Sequence, residues 1–178
     1  MDPLRQYEIA FVGLKTGEHH FQFTTDDKFF ELFENSLVKT GLVDVRLTLD
    51  KRTSFLLLNF SLEGSVKLGC DRCGADLNFP VDAQYPIVVK FDHHDEGEKD
   101  DSMADVVYIS RSDSHLDVSQ LIYEFINLSI PLNHVTCENL TGPKPCNEDV
   151  LKRLKQPEIK KITSKDPRWD NLSKIKFN

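Results

Sequence analysis

All four cysteines of the chain fall into two pairs, Cys70-x2-Cys73 and Cys137-x8-Cys146, with 63 residues between the pairs. A two-residue spacer lets two thiolates aim at one ion from a single tight turn, and Gly69 and Gly74 flank that turn with free backbone. The eight-residue spacer of the second pair exceeds the usual two to four, so it needs a fold-back, and Thr141-Gly142-Pro143-Lys144-Pro145 predicts one. The favoured reading is four sulfurs around one Zn2+, from Cys70, Cys73, Cys137 and Cys146. His134, three residues before Cys137, is the alternative fourth ligand if Cys146 stays away, and a site without metal is the third possibility.

Two rivals fit less well. Structural disulfides require an oxidising compartment, whereas the start of the chain, Met1 to Glu8, lacks a basic stretch followed by an apolar run and a small-residue cleavage site. That start predicts a cytoplasmic chain. A redox Cys-x2-Cys sits at a helix N-terminus, where the dipole lowers the thiol pKa; here strand-like segments lie on both sides and Asp71 adds negative charge. Four thiolates would fill the zinc shell and leave no position for water, so the ion is expected to be structural. It would tie together segments remote in sequence, closing a long loop.

At 178 residues, with 39% hydrophobic residues and 12 Phe, the chain can bury one sizeable core. No apolar run approaches the roughly 18 residues of a membrane-spanning helix. The net charge of −7 is unevenly spread. Leu151 to Asn178 holds nine Lys or Arg against three acids, leaving 13 basic against 26 acidic residues elsewhere. An acidic domain, residues 1–147, with a basic extension, residues 148–178, is the expected organisation.

Leu4 to Leu14 and Glu18 to Phe23 read as a hairpin around Thr16-Gly17, the second strand alternating His19, Phe21 and Phe23 with polar residues. A helix is expected from Thr24-Thr25-Asp26-Asp27 to about Lys39, with Phe29, Phe30, Phe33 and Leu37 on one face and Gly41 as its stop. Strands are expected at Leu42 to Leu49, Ser54 to Leu62, Ser65 to Leu68, Asp76 to Phe79, Tyr85 to Phe91 and Val106 to Ile109. The Cys70–Cys73 turn then forms a hairpin tip. His93 to Ser102 is too polar to pack and reads as a loop. Asp117 and Gln120 form a capping-box pattern before the stripe Leu121, Ile122, Phe125 and Ile126, with Pro131 as the stop. A short helix is expected from about Glu148 through Val150, Leu151 and Leu154. The fold class is α+β, mainly antiparallel sheet with two principal helices and a zinc-ribbon-like clip. No phosphate-binding glycine loop, HExxH or G-x-S-x-G pattern is present, so catalysis is not the expected role.

This order of elements resembles the YceD family of large ribosomal RNA subunit accumulation proteins. The resemblance is carried by Gly69-Cys70-Asp71-Arg72-Cys73, the acidic loop, Asp117-Val118-Ser119-Gln120-Leu121-Ile122-Tyr123-Glu124, Leu128-Ser129-Ile130-Pro131-Leu132, the second cysteine pair and Asp166-Pro167-Arg168-Trp169. It implies a non-enzymatic factor that supports accumulation of 23S ribosomal RNA in large-subunit assembly. On that reading the contacts to ribosomal RNA fall on Lys152, Arg153, Lys155, Lys160, Lys161, Arg168 and Trp169, cations for phosphate and one ring for base stacking. The alternative is an adaptor whose acidic body holds a basic ribosomal protein or assembly factor without touching RNA.

Overall fold

The computed structural model describes residues 3–92, 106–132, 136–137 and 144–155. A 3-10 turn (Pro3–Tyr7) leads into β1 (Glu8–Ile9), β2 (Gly17–Thr25), α1 (Asp27–Glu31), β3 (Gly41–Lys51), β4 (Phe55–Gly69) and β5 (Asp76–Asp92). Then follow β6 (Val106–Ser110), β7 (Leu116–Asp117), α2 (Ser119–Leu128) and α3 (Glu148–Lys155). The main sheet has the order β2-β3-β4-β5-β6, antiparallel except for the parallel pair β5–β6, and β1 pairs with β7 in a small second sheet. The α+β class with a mainly antiparallel sheet holds. No helix among the described residues is long and apolar enough to cross a membrane.

Period-two alternation sorts the sheet into two faces. Val43, Val45, Leu47 and Leu49 of β3 and Leu56, Leu58, Phe60 and Leu62 of β4 are all buried on one side. Each buried side chain of this size contributes roughly 1.5–3 kcal/mol. Onto this face α2 lays Ile122, Phe125 and Ile126. The Phe125 ring meets Phe60 edge-on at 5.1 Å and stacks on Tyr85 at 4.5 Å. The opposite face is mostly polar, with Leu42 and Leu57 as exposed exceptions, and across it Asp44, Glu63 and Asp82 stand directly opposite one another on three adjacent strands.

Several expectations are corrected. Leu4 to Leu14 does not pair with β2; it forms the 3-10 turn and β1, and β1 joins β7 just before α2. Lys51 replaces the missing hairpin contacts, its ammonium donating to the carbonyls of Phe11, Val12 and Leu14 at 2.8, 3.2 and 2.9 Å. The helix expected to reach Lys39 stops at Glu31. Asp26 caps it as anticipated, but Asn35 takes a left-handed φ of 58° and turns the chain, which buries Val38 completely and leaves Leu37 exposed. Ser65 to Leu68 continues β4 without a break, and Asp76 to Phe91 is one strand.

The cap of α2 also differs. Val118 occupies the cap position and Asp117 Oδ1 accepts from the Ser119 N–H at 2.8 Å, while the Gln120 amide donates forward to Glu124. The helix ends at Leu128, before Pro131. The polar stretch His93 to Ser102 lies outside the described residues.

β4 and β5 make an unbroken ladder from Phe55↔Lys90 to Gly69↔Asp76. Its far end is the Cys70–Cys73 turn, as the sequence predicts. Among the described residues, β6 pairs with Val88 to Asp92 of β5. On the rest of that edge Pro80 and Pro86 share one side of the strand, and a proline keeps its place in a ladder when its missing N–H faces away from the partner. They blunt an edge that would otherwise recruit another strand.

Candidate metal centre at the hairpin tip

The turn between β4 and β5 is closed by its own backbone. Cys70 N–H donates to the Ala75 carbonyl at 2.8 Å, and Gly74 N–H to the Cys70 carbonyl at 2.8 Å. Gly74 takes a φ of +68°, a conformation a side chain disfavours; Gly69 does not need that freedom. The reversal turns Cys70 and Cys73 toward the same side, where both are buried.

The second pair comes to meet them. The sulfurs of Cys70, Cys73 and Cys137 all lie within 4.8 Å of one another, and Cys73 Sγ is 3.5 Å from Cys137 Sγ. A tetrahedral zinc with Zn–S bonds of about 2.3 Å holds its sulfurs about 3.8 Å apart, which matches this spacing. Cys146 is half-buried and outside that mutual set, but it hydrogen-bonds with the Cys137 thiol and lines the same cavity as the other three. All four are free thiols. Among the described residues, no other group of three His, Cys, Asp or Glu side chains converges in this way.

Electrostatics separate two of the thiols. Burial works against ionisation of Cys70, but the backbone N–H groups of Cys73, Arg72 and Cys137 donate to its sulfur, as does the Cys137 side chain, and its pKa falls to about 7. Burial pushes the Cys137 thiol well above its ordinary range; its hydrogen bonds to Cys73, Cys146 and Cys70 and the charge on Cys70 act in the same direction. The Asn147 N–H, 3.5 Å from Cys73 Sγ, adds a further donor. Backbone donors aimed at sulfur favour thiolate, while the proximity of the sulfurs forbids several thiolates at once without a cation among them. A divalent soft-ligand ion fits this donor set.

Of the other site residues read from the sequence, Lys152, Arg153 and Lys155 are exposed on α3. Lys152 is 3.8 Å from both Glu148 and Asp149 within the helix. Lys160, Lys161, Arg168 and Trp169 lie outside the described residues, as do His134 and most of the Thr141–Pro145 segment. Sequence reading missed Asn147, whose carbonyl and side chain accept from Leu151 and Val150 at the start of α3. The signal was there, since Asn147-Glu148-Asp149 is a cap followed by two acids in the first turn. Arg72 and Lys155, which line the sulfur cavity, were also not connected with it.

A family model described as large ribosomal RNA subunit accumulation protein YceD matches residues 58–176, more than half of the chain. That span takes in β4 from Leu58 onward, the hairpin tip, α2 and both cysteine pairs. No curated protein and no solved structure gives a significant match.

Proposed function

Because the chain belongs to the YceD family of large ribosomal RNA subunit accumulation proteins, we propose that it supports 23S ribosomal RNA accumulation during large-subunit assembly, by binding and not by catalysis, in the cytoplasm. Cys70, Cys73, Cys137 and Cys146 hold a structural Zn2+. The observation that carries the metal reading is the convergence of buried sulfurs from two segments at one hairpin tip. Bound by four thiolates, zinc supplies cross-linking and no open coordination position. The acidic α+β domain, residues 1–147, carries the cysteine clip, and the basic extension, residues 148–178, contacts RNA through Lys152, Arg153, Lys155, Lys160, Lys161, Arg168 and Trp169. Binding of this kind weakens steeply as salt rises, because Lys and Arg release counterions from phosphate.

The adaptor reading is favoured by one different observation, the row Asp44, Glu63 and Asp82 across three strands on the polar face. Like charges directly opposite destabilise a sheet, and here Thr24 and Arg46 offset only part of that, donating to Asp44 and Glu63. Sedimentation of the reduced protein with ribosomal particles, with and without nuclease, tests the two. Loss of co-sedimentation after nuclease and at raised salt supports direct RNA contact. Retention through both treatments supports the adaptor, and no association with ribosomal particles contradicts the assembly role.

A further inference from the structure

Helix α3 touches the core through two half-buried side chains, Val150 and Leu151, and buries none fully. It is eight residues long, and Leu154 is 57% exposed. Isolated helices of that length are marginal in water. Both of its ends, however, address the sulfur cluster. Immediately before the first turn, Asn147 donates its N–H to Cys73 Sγ at 3.5 Å, while its side-chain oxygen accepts from the Val150 N–H at 3.3 Å and its carbonyl from the Leu151 N–H at 3.1 Å. The same residue therefore caps the helix and contacts a sulfur, next in sequence to Cys146. Further along, Leu151 and Lys155, one turn apart on the same side of the helix, line the cavity that holds the four cysteines.

We infer that metal loading is what docks α3 on the body, with Asn147 and Lys155 as positioning residues that fix where the basic extension leaves the domain. This rests on the zinc reading above. Four thiolates around Zn2+ carry about two net negative charges, and Arg72 on the turn and Lys155 on α3 are the cations that border them. Without the ion, Cys146 is held at the tip by a thiol hydrogen bond to Cys137 in place of a coordinate bond, and the cap at Asn147 has a less firmly fixed neighbour. Lys152 and Arg153 then lose a defined position relative to the body although their charges are unchanged. RNA contact by the extension becomes dependent on metal.

The test is hydrogen exchange on the full reduced chain, zinc-loaded and chelated, with zinc content measured on each sample. The α3 amides of residues 151–155 are expected to exchange about tenfold or more faster after chelation, while those of β3 and the first half of β4 stay slow in both states. Asn147→Ala, which keeps every cysteine, is expected to retain one zinc per chain and still to raise α3 exchange. Lys155→Met is expected to do the same, with the larger effect at low salt. One bound zinc with equal α3 exchange in the loaded and chelated chain overturns the inference and leaves the zinc reading standing. A chain that takes up no zinc overturns both.

Discussion

Cys73 Sγ lies 3.5 Å from Cys137 Sγ, across a sequence separation of 64 residues. Cys73 is also the sulfur that receives the Asn147 N–H, so it stands between both halves of the second cysteine segment. Cys73→Ser should therefore remove the metal and lower Tm to the value of the chelated wild type. With zinc at about a thousandfold over its Kd the loss is ~4 kcal/mol, or on the order of 8–16 °C for a chain of this size. Adding chelator to the variant should then change nothing; a further drop would mean the ion sits without Cys73.

The stacking of Phe125 on Tyr85, with planes 8° from parallel, and its edge contact to Phe60 join α2 to the inner face of the sheet. Phe125→Ala should cost about 3–5 kcal/mol, read as a fall in the urea midpoint at unchanged slope. A loss below about 1 kcal/mol would show that α2 contributes little to the core.

Lys51 holds the segment before β2 by three carbonyls. Replacing it by Met keeps the aliphatic stem and deletes the charge-assisted bonds, for an expected loss of about 1.5–3 kcal/mol. Limited proteolysis should then cut first between residues 10 and 16. An unaltered cleavage pattern would contradict this role.

Tyr7 is almost fully buried, and its hydroxyl donates to the Thr24 carbonyl at 3.2 Å. Burial, with a smaller push from the Asp26 carboxylate, raises its pKa above 10.0 against a weaker opposing bond to Gln6. The folded state keeps this proton where the unfolded chain has released it. The stability it provides is complete below pH 10 and is lost as pH climbs through the raised value. Denaturation series from pH 8 to 11 should show a steeper alkaline decline for wild type than for Tyr7→Phe; parallel curves would refute it.

The strands of the main sheet were legible wherever residues alternate over a long run, as in Val43 to Leu49, because one face is buried and the other wet. The hairpin tip was legible for a different reason, since Cys-x2-Cys between two strand segments leaves the turn few options. What misled was local pattern that tertiary contacts overrode. Phe29, Phe30 and Phe33 have helical spacing, yet Asn35 breaks the helix so that Val38 can enter the core. Leu4 to Leu14 looks like a strand, but its partner, Leu116–Asp117, is over a hundred residues away and leaves no local trace. The long Cys137–Cys146 spacer made the fourth sulfur the least certain from sequence, and in the structure Cys146 is the least buried of the four.

Metal content of the purified, reduced, full-length chain tests the central claim most directly. Elemental analysis beside native mass spectrometry should find one zinc per chain, lost on chelation together with a fall in Tm. A reduced chain that carries no ion, takes up none when zinc is supplied, and melts at the same temperature with and without chelator would contradict it.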